Sequence, residues 1–450
     1  MNNAEKTAPP VKDALLTLTI EGMGSNVEGI GRMNSFAVFV PGAILGETVR
    51  VRVADVKKNY ARGELISVLE PSKDRVEPEC PFFGKCGGCD SQHMSYDSQL
   101  EFKRSKVQNG LARVGGVKDV ACPPVIGMES PWRYRNKAQF PITPHGAGFY
   151  SKRSHKVTPV DDCLIQSRRA GEILSVILKY MRENNIPAYD ERSFSGLVRH
   201  ALVRTSDATG DASVCVVING DALPKADLLA DALQKNARVS GLFLNVNKRR
   251  DNVIIDGETR LVSGKPYIDD FIGCVRFQVS PSSFYQVNNE QTTRLYAKAA
   301  ELAEIKDSDI VADLYCGIGS AALFIARHAK KIYGIEIEKS SVDDARKNAL
   351  LNGASNAFEF ILGPAEDELP KIDAPDVIIV DPPRKGCSES LINALLKTSA
   401  HKIIYISCDP ITMARDIKTL SRRYKLSALQ PVDCFPQTKH IECVAALSAL

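Results

Sequence analysis

Alternating apolar and polar residues mark the first part of the chain. Short runs such as Leu16–Ile20 and Thr48–Val53 place apolar side chains at every second position, and Pro41-Gly42 and several glycines separate the runs. This alternation predicts about five short strands that close into a small barrel of the oligonucleotide-binding kind. We therefore predict a β-barrel domain over residues 8–70.

The middle of the chain mixes helical and extended patterns without a catalytic signature. Helices are predicted near Tyr96–Val114 and Ala170–Asn184. Strands are predicted at residues 197–205, 213–218, 241–246 and 253–255. Residues 71–277 are accordingly interpreted as a central α/β domain.

Strands and helices alternate from residue 278 to residue 450. Strands are predicted at 310–314, 331–335, 357–362, 376–380, 402–406, 425–430 and 441–447, and helices near 320–328, 339–352, 388–397 and 410–420. The alternation predicts a doubly wound, Rossmann-like parallel sheet. Ligands bind beyond the carboxyl ends of the strands of such sheets, so polar residues that follow the strands are candidates for chemistry.

Composition describes an ordinary globular protein with a locally basic segment. The chain is 44% apolar and 25% charged, with a net charge of +4. Residues 97–205 hold 18 Lys and Arg against 10 Asp and Glu, which suits a phosphate backbone as well as a plain solvated face. Met1–Val11 is polar and no apolar run reaches the roughly 18 residues of a membrane span, so a cytoplasmic protein with reduced cysteines is expected.

Three cysteines lie close together in the central segment. Cys80, Cys86 and Cys89 follow a C-x5-C-x2-C pattern with glycines between the last two, which lets three thiolates converge on one metal. Cys163, in a polar turn, is the candidate fourth ligand, and Cys122 is nearer in sequence but adjoins two prolines. Zinc and an iron–sulfur cluster both suit four thiolates, and the spacing does not choose between them.

A glycine-containing loop follows the first strand of the C-terminal sheet. Gly317 and Gly319 begin a G-x-G pattern, but residue 322 is alanine, so the dinucleotide fingerprint is incomplete. Glu336 ends the next strand, where an acid can bind a ribose diol. Because no phosphate cradle accompanies them, an adenosine cofactor without phosphates, such as S-adenosylmethionine, is favoured over NAD.

Three further residues at strand ends carry candidate chemistry. Asp381 precedes two prolines that stiffen its loop. Cys408 lies between a strand and a helix that begins at Pro410, and the N–H groups of the first turn of this helix would favour a thiolate. Glu442 begins the last strand, where a buried acid is expected to have either an interaction partner or a functional role. A thiolate and a carboxylate suit methylation of a pyrimidine: sulfur adds to carbon 6, carbon 5 attacks a sulfonium methyl, and a base removes the carbon-5 proton.

Several motifs together resemble the RNA uracil-5 methyltransferases. They are Ser283–Asn288, Asp313–Gly319, Asp381–Gly386, Ser407–Pro410 and His440–Glu442. The segments Gly22–Gly24 and Glu28–Gly31 resemble a TRAM domain, an RNA-binding barrel. The cysteine pattern and the N-terminal barrel together resemble those of the subgroup that acts on 23S ribosomal RNA, which carries a four-iron cluster.

The resemblance implies a role for each matched residue. Cys408 would be the nucleophile and Glu442 the base. Contacts to S-adenosylmethionine would come from Gln286, Tyr315, Glu336 and Asp381. Contacts to uracil would come from Phe284 and Asp381. The ligands of the [4Fe-4S] cluster would be Cys80, Cys86, Cys89 and Cys163. Two positions depart from the family: Ser320, where some members have Asn, and Asp409, where Asn is frequent.

The resemblance implies S-adenosylmethionine-dependent methylation of uridine carbon 5 in 23S rRNA, naked or early in assembly, by a monomer. One alternative is a transfer-RNA methyltransferase with the same chemistry. Another is an iron–sulfur RNA-binding protein without catalysis, which the presence of both Cys408 and Glu442 disfavours.

Overall fold

The computed structural model describes residues 9–117, 120–281, 283–354 and 357–450. The chain forms two compact units, and the smaller one comprises the residues up to Gly84 with Gly88–Lys106 and Gln437–Lys439. The larger comprises Lys85–Gly87, Val107–Pro436 and His440–Leu450. The start of the predicted barrel at residue 8 and most of the polar segment Met1–Val11 lie outside the described residues.

The smaller unit contains a closed five-stranded barrel. Its strands are β1 Leu15–Met23, β2 Glu28–Met33, β3 Phe36–Pro41, β4 Thr48–Val56 and β5 Tyr60–Glu70, in the order β1-β2-β3-β5-β4. Alternate residues such as Leu18, Val38 and Val51 fill the interior, as the period of two requires. The predicted barrel is confirmed.

The larger unit contains two seven-stranded sheets, and the first lies in the middle of the chain. Its strands are β6 Lys137–Thr143, β7 Gly146–Tyr150, β8 Val157–Pro159, β9 Val198–Thr205, β10 Ala212–Ile218, β11 Gly241–Val246 and β12 Thr259–Gly264, in the order β12-β11-β10-β9-β6-β7-β8. Helix α1 (Tyr96–Gly110), continued by a π-helical turn at Leu111–Gly115, precedes it, and α2 (Arg168–Glu183) and α3 (Ala226–Ala237) lie between its strands in sequence. Helices α2 and α3 bury their apolar sides in the same core as this sheet.

The strand predicted at Val253–Ile255 is wrong. The side-chain amide of Asn247 donates to the carbonyl oxygens of Val253 and Ile254 at 2.7 and 2.9 Å, so these groups have partners without a strand ladder. Ile254 and Ile255 pack on a small apolar cluster around Phe243. Val253 itself is exposed, and the strand that pairs with β11 on this side is β12.

The second sheet occupies the C-terminal part of the chain, after a hairpin of β13 (Ile268–Ile272) and β14 (Val275–Val279). Its strands are β15 Ile310–Leu314, β16 Lys331–Glu336, β17 Phe358–Leu362, β18 Val377–Val380, β19 Lys402–Ser407, β20 Tyr424–Val432 and β21 Glu442–Ala449. The helices are α4 Asn289–Ala303, α5 Ser320–Ile325, α6 Lys339–Leu351, α7 Ala365–Glu368, α8 Glu389–Leu395 and α9 Pro410–Leu420, with a 3-10 turn at Leu369–Lys371. The predicted doubly wound sheet is confirmed.

One strand of this sheet runs against the others. The order is β17-β16-β15-β18-β19-β21-β20, and β21 pairs antiparallel with both β19 and β20. The first residue of β21 therefore lies at the edge where β15, β16, β18 and β19 have their carboxyl ends. This reversal brings the start of the last strand to the edge at which ligands bind in such sheets.

None of the helices in the described ranges is both long enough and apolar enough to cross a membrane.

Candidate active site

Strand pairing brings Cys408 and Glu442 together. Ser407 pairs with Cys443 across β19 and β21, and this last pair of the register adjoins Cys408 on one strand and Glu442 on the other. The charge of Glu442 accordingly acts on the thiol and raises its pKa.

The environment of Cys408 favours the thiol over the thiolate. Burial, followed by the charges of Glu442 and Asp381, raises the pKa of Cys408 to about 11, against a lowering by Arg384. Arg384 and a backbone hydrogen bond of Cys408 lower this pKa, and burial and the two acids outweigh them in the free protein. The expected support of a thiolate by N–H groups of helix α9 stays a prediction.

Asp409 caps the start of helix α9, directly after Cys408. Its carboxylate accepts the backbone N–H of Ile411 at 2.9 Å and that of Thr412 at 3.3 Å, which makes Asp409 the N-cap. An asparagine oxygen can accept the same two bonds, so the departure at position 409 preserves the capping role.

The two carboxyl groups beside Cys408 also hold their protons strongly. Glu442 is 6% exposed, and burial and the charge of Asp381 raise its pKa well above the ordinary value, against a lowering by Arg384. Burial raises the pKa of Asp381 to about 7. At neutral pH the site thus carries far less negative charge than one thiol and two carboxyl groups would suggest.

Arg384 is a residue of the site to which the sequence argument assigned no role. It lowers the pKa of both Cys408 and Glu442. Helix α9 holds its loop, because the hydroxyl of Thr412 donates to the Arg384 carbonyl at 3.2 Å and Arg415 Nη2 donates to the Lys385 carbonyl at 3.0 Å. The signal was its place directly after Asp381-Pro382-Pro383.

Gly386 completes this loop at a position that excludes a side chain. Its φ is +76°, and a Cβ there would lie 2.5 Å from Arg415 Nη2 and 2.6 Å from Asp416 Oδ2. Asp416 Oδ2 also accepts the hydroxyl of Tyr405 at 2.7 Å and the N–H of Cys387 at 2.9 Å. A buried network on α9 and β19 therefore sets the path of the loop that carries Arg384.

Glu336 organises the loop after β15. Its Oε2 accepts the N–H of Gly317 at 3.0 Å, and its Oε1 accepts the N–H groups of Ile337 and Glu338, each at 2.9 Å. A carboxylate has about four acceptor positions, so one remains on Oε2 for a ligand hydroxyl. Tyr315, in the left-handed region with φ +65°, turns the chain from β15 into this loop.

Asp313 is a second residue of the site that the sequence argument missed. Its Oδ2 accepts the N–H of Ala322 at 3.0 Å, which ties β15 to the start of α5. Burial, Asp381 and Glu336 raise the pKa of Asp313 well above its ordinary value. Asp313, Glu336 and Asp381 thus form an acidic group around the glycine loop.

The Ser283–Asn288 segment is held from the first sheet of the same unit. Asn136 donates from Nδ2 to the Gln286 carbonyl at 3.0 Å and from its N–H to the Val287 carbonyl at 2.9 Å. Arg204 Nη2 donates to the Ser283 carbonyl at 2.7 Å. Asn136, which is 8% exposed, therefore supports this loop from within the protein.

The predicted ligand-binding side chains of this segment are accessible to different degrees. The Phe284 ring is 70% exposed, and Gln286 is half-buried beside Tyr296, whose pKa its side chain lowers. Ser320, the other departure from the family, lies with its hydroxyl 3.1 Å from that of the buried Tyr296. Its hydroxyl therefore has a partner within the protein.

The four predicted metal ligands are divided between the two units. Cys80 and Cys89 belong to the smaller unit, and Cys86 and Cys163 to the larger. Throughout the described ranges, no three or more His, Cys, Asp or Glu side chains are grouped so that they could hold a metal ion. The [4Fe-4S] cluster stays a prediction, and no step of the chemistry below uses it.

Comparison with known families assigns the chain. The profile of the tRNA (uracil-5-)-methyltransferases matches residues 95–449, and that of the TRAM domain matches residues 15–66. The chain belongs to the tRNA (uracil-5-)-methyltransferase family. The predicted family and TRAM barrel are thereby confirmed, whereas the 23S rRNA subgroup is not.

Individual relatives agree with this assignment. The chain is 42% identical to an uncharacterized RNA methyltransferase of Clostridium tetani, over 99% of this chain and 98% of the relative. It is also 42% identical to one of Halalkalibacterium halodurans, over 99% of each. Among solved structures, the Pyrococcus abyssi tRNA (uracil-54, C5)-methyltransferase in complex with S-adenosyl-L-homocysteine is 26% identical, with a TM-score of 0.79 over 96% of this chain and 100% of that one.

Proposed function

We propose that this RNA uracil-5 methyltransferase uses Cys408 as nucleophile, Glu442 as base and S-adenosylmethionine as methyl donor. The observation that supports the proposal is the register of β19 and β21, whose last pair, Ser407 with Cys443, adjoins Cys408 and Glu442, together with the action of the Glu442 charge on the thiol. Asp381 and Arg384 act electrostatically on the same pair.

The roles follow from the chemistry of uracil. After the Cys408 thiol has given up its proton to solvent, its Sγ forms a bond to carbon 6, and the displaced electron pair moves to the carbon-4 carbonyl oxygen and makes carbon 5 nucleophilic. When bound, S-adenosylmethionine supplies an electrophilic methyl group to carbon 5. Glu442 then takes the carbon-5 proton, and the bond between Sγ and carbon 6 breaks to restore the thiolate and the aromatic ring.

The acidic group around the cofactor loop supports a cationic ligand. A positively charged sulfonium near Asp313 and Asp381 would favour the ionised forms of both acids, whereas the pyrophosphate of a dinucleotide would raise their pKa values further. A nearby positive charge lowers the pKa of acids and thiols. We therefore propose that the bound cofactor releases the protons that Cys408, Asp381 and Glu442 hold in the free protein.

Cofactor contacts are proposed for Gln286, Tyr315, Glu336 and Asp381. The remaining acceptor position on Glu336 suits a ribose hydroxyl. Phe284 and Asp381 are proposed to contact the target base, since an exposed ring is free to stack on a base drawn out of its helix.

RNA containing 5-fluorouridine tests the nucleophile. Fluorine cannot leave as a proton does, so the wild-type protein should form an adduct that survives a denaturing gel. Cys408→Ala should form none, and Cys274→Ala, which removes an exposed cysteine from the β13–β14 turn, should trap as well as the wild type. Equal trapping by Cys408→Ala would refute the assignment.

The base has its own test. Glu442→Gln should still add Cys408 to ordinary uridine and transfer the methyl group, and then accumulate the adduct because the carbon-5 proton stays in place. Mass spectrometry of the protein after nuclease digestion measures this adduct. Rapid release of 5-methyluridine by the variant would exclude Glu442 as the base.

We propose 23S rRNA as the substrate, naked or early in assembly, acted on by a monomer. The TRAM domain and the cysteine pattern support this choice. The likeness to the Pyrococcus abyssi tRNA methyltransferase supports tRNA as the second candidate. Methyl incorporation into naked 23S rRNA and into tRNA, both from cells that lack the gene, separates the two.

A [4Fe-4S] cluster on Cys80, Cys86, Cys89 and Cys163 is likewise proposed from the sequence. The arrangement of the described residues gives no support beyond the short spacing of the first three. Anaerobically purified protein should be brown, absorb near roughly 400 nm and contain iron. Colourless protein with stoichiometric zinc would overturn the proposal.

A further inference from the structure

Two cations lie directly opposite one another in the first sheet of the larger unit. Lys137 on β6 pairs with Arg204 on β9, so their side chains project from the same face. Like charges at directly opposite positions destabilise a sheet. The pairing is therefore unfavourable unless something outside the sheet compensates it.

Among the described residues no carboxylate forms an ion pair with these cations, and the charge of Asp270 acts on Arg204 without contact. Arg204 is 3% exposed, and its Nε and Nη1 have no hydrogen-bond partner among the described residues, while its Nη2 donates to a neutral carbonyl. Within that same part of the chain, neither Lys137 Nζ nor the Arg135 guanidinium lies within 4 Å of a carboxylate. The nearby Arg133, in contrast, is bound by both oxygens of Asp162, at 2.5 and 2.6 Å.

The cations lie beside the segment proposed to bind the target base. Arg204 reaches the carbonyl of Ser283, and the next residue is the exposed Phe284. Lys137 is half-buried, so part of its side chain is open to solvent. An anion bound there would lie next to the loop that carries Phe284 and Gln286.

We propose that Lys137, with Arg204 and Arg135 behind it, binds a backbone phosphate of the RNA strand close to the target uridine. This inference rests on the proposed RNA substrate and assigns a specific contact to it. Lysine contacts the phosphate directly, and the two arginines add positive potential that a single surface lysine would lack.

The protonation of Lys137 makes the contact sensitive to pH. Burial, followed by the charges of Arg204 and Arg135, lowers the pKa of Lys137 to about 8, and the thiol of Cys215 acts weakly in the opposite direction. Below that pH the ammonium form can bind phosphate, and above it the free protein presents a neutral amine. The protonated fraction falls about tenfold from pH 7 to pH 9, and the affinity for RNA should fall by a similar factor.

The experiment measures binding of a fluorescent single-stranded oligouridylate to the full-length protein by anisotropy, at several pH and salt values. Lys137→Gln should weaken binding about tenfold at pH 7 and reduce the salt slope by about 0.7, the value for one phosphate of a single strand. Lys137→Arg should retain tight binding and lose the decline between pH 7 and pH 9, because arginine stays charged. The control Lys179→Gln, on the exposed side of α2 beside Glu183, should match the wild type.

Two results would overturn the phosphate site: a Lys137→Gln salt slope equal to that of the wild type, or a decline with pH that persists in Lys137→Arg. Lys137→Arg keeps the proposal testable if the glutamine variant fails to fold. Trapping of 5-fluorouridine by the wild-type protein is measured in parallel. If trapping succeeds and these variants bind normally, only the phosphate site fails, whereas a wild type that traps nothing contradicts the proposed chemistry instead.

Discussion

Replacing Gly386 by alanine tests whether helix α9 sets the path of the loop that carries Arg384. Gly386 has φ +76°, and Gly353, after helix α6, has φ +67°. Alanine at either position meets the same unfavourable left-handed conformation, which costs about 1–2 kcal/mol. A Cβ at position 353 meets no atom within 4 Å, so Gly353→Ala is a matched control.

The two variants differ by a collision. At position 386 the Cβ would lie 2.5 Å from Arg415 Nη2 and 2.6 Å from Asp416 Oδ2, so these side chains must move. Arg415 would then lose its bond to the Lys385 carbonyl, and a hydrogen bond of a charged group contributes about 1.5–3 kcal/mol. We expect Gly386→Ala to lower the free energy of unfolding by about 3–5 kcal/mol and Gly353→Ala by about 1–2 kcal/mol.

Urea unfolding measures these free energies, and methyl incorporation from labelled S-adenosylmethionine measures the consequence for the site. Methyl transfer by folded Gly386→Ala should fall at least about tenfold, because a displaced Arg384 no longer lowers the pKa of Cys408. Binding of S-adenosylhomocysteine should change little. Equal losses of stability in the two variants, with normal methyl transfer by Gly386→Ala, would refute the reasoning.

Three further predictions concern single side chains. Arg204→Met should weaken S-adenosylhomocysteine binding and methyl transfer, because the Ser283 carbonyl loses its hydrogen-bond donor. Arg199→Met is the control on the same strand, and because Arg199 donates to other carbonyls it should lower only the melting temperature. Calorimetry that finds equal cofactor affinities for the two variants would contradict this prediction. Asp381→Asn should abolish methyl transfer yet raise stability by about 1–3 kcal/mol at pH 8. Burial raises the pKa of Asp381 to about 7, so the wild-type protein loses stability as the pH rises from about 4 to 7 and this acid must ionise. The stability gained by Asp381→Asn should therefore vanish near pH 4 in thermal melts. Asp409→Asn should leave the free energy of unfolding unchanged within about 0.5 kcal/mol, whereas Asp409→Ala should lower it by about 1 kcal/mol. Similar unfolding midpoints for the two variants would contradict the capping role.

Local patterns in the sequence determined much of the architecture. The alternation in residues 12–70 specified the barrel, and the repeated strands and helices after residue 278 specified the doubly wound sheet, since each pattern reports which side chains must be buried. The ends of the strands then pointed to Tyr315, Glu336 and Asp381. The same logic failed at Val253–Ile255, because a short apolar run does not show whether its backbone pairs with a strand or bonds to the side chain of Asn247.

The tertiary structure decided which of these residues act on one another. The reversed direction of β21 brings Glu442 to the same edge of the sheet as Cys408, and no local pattern encodes the direction of a strand within its sheet. The raised pKa of Cys408 depends on burial and on charges from two other strands, and Lys137 meets Arg204 only through the pairing of β6 with β9. Periodicity is a property of neighbours along the chain, whereas electrostatic and catalytic partnerships depend on distances between segments that are far apart in sequence.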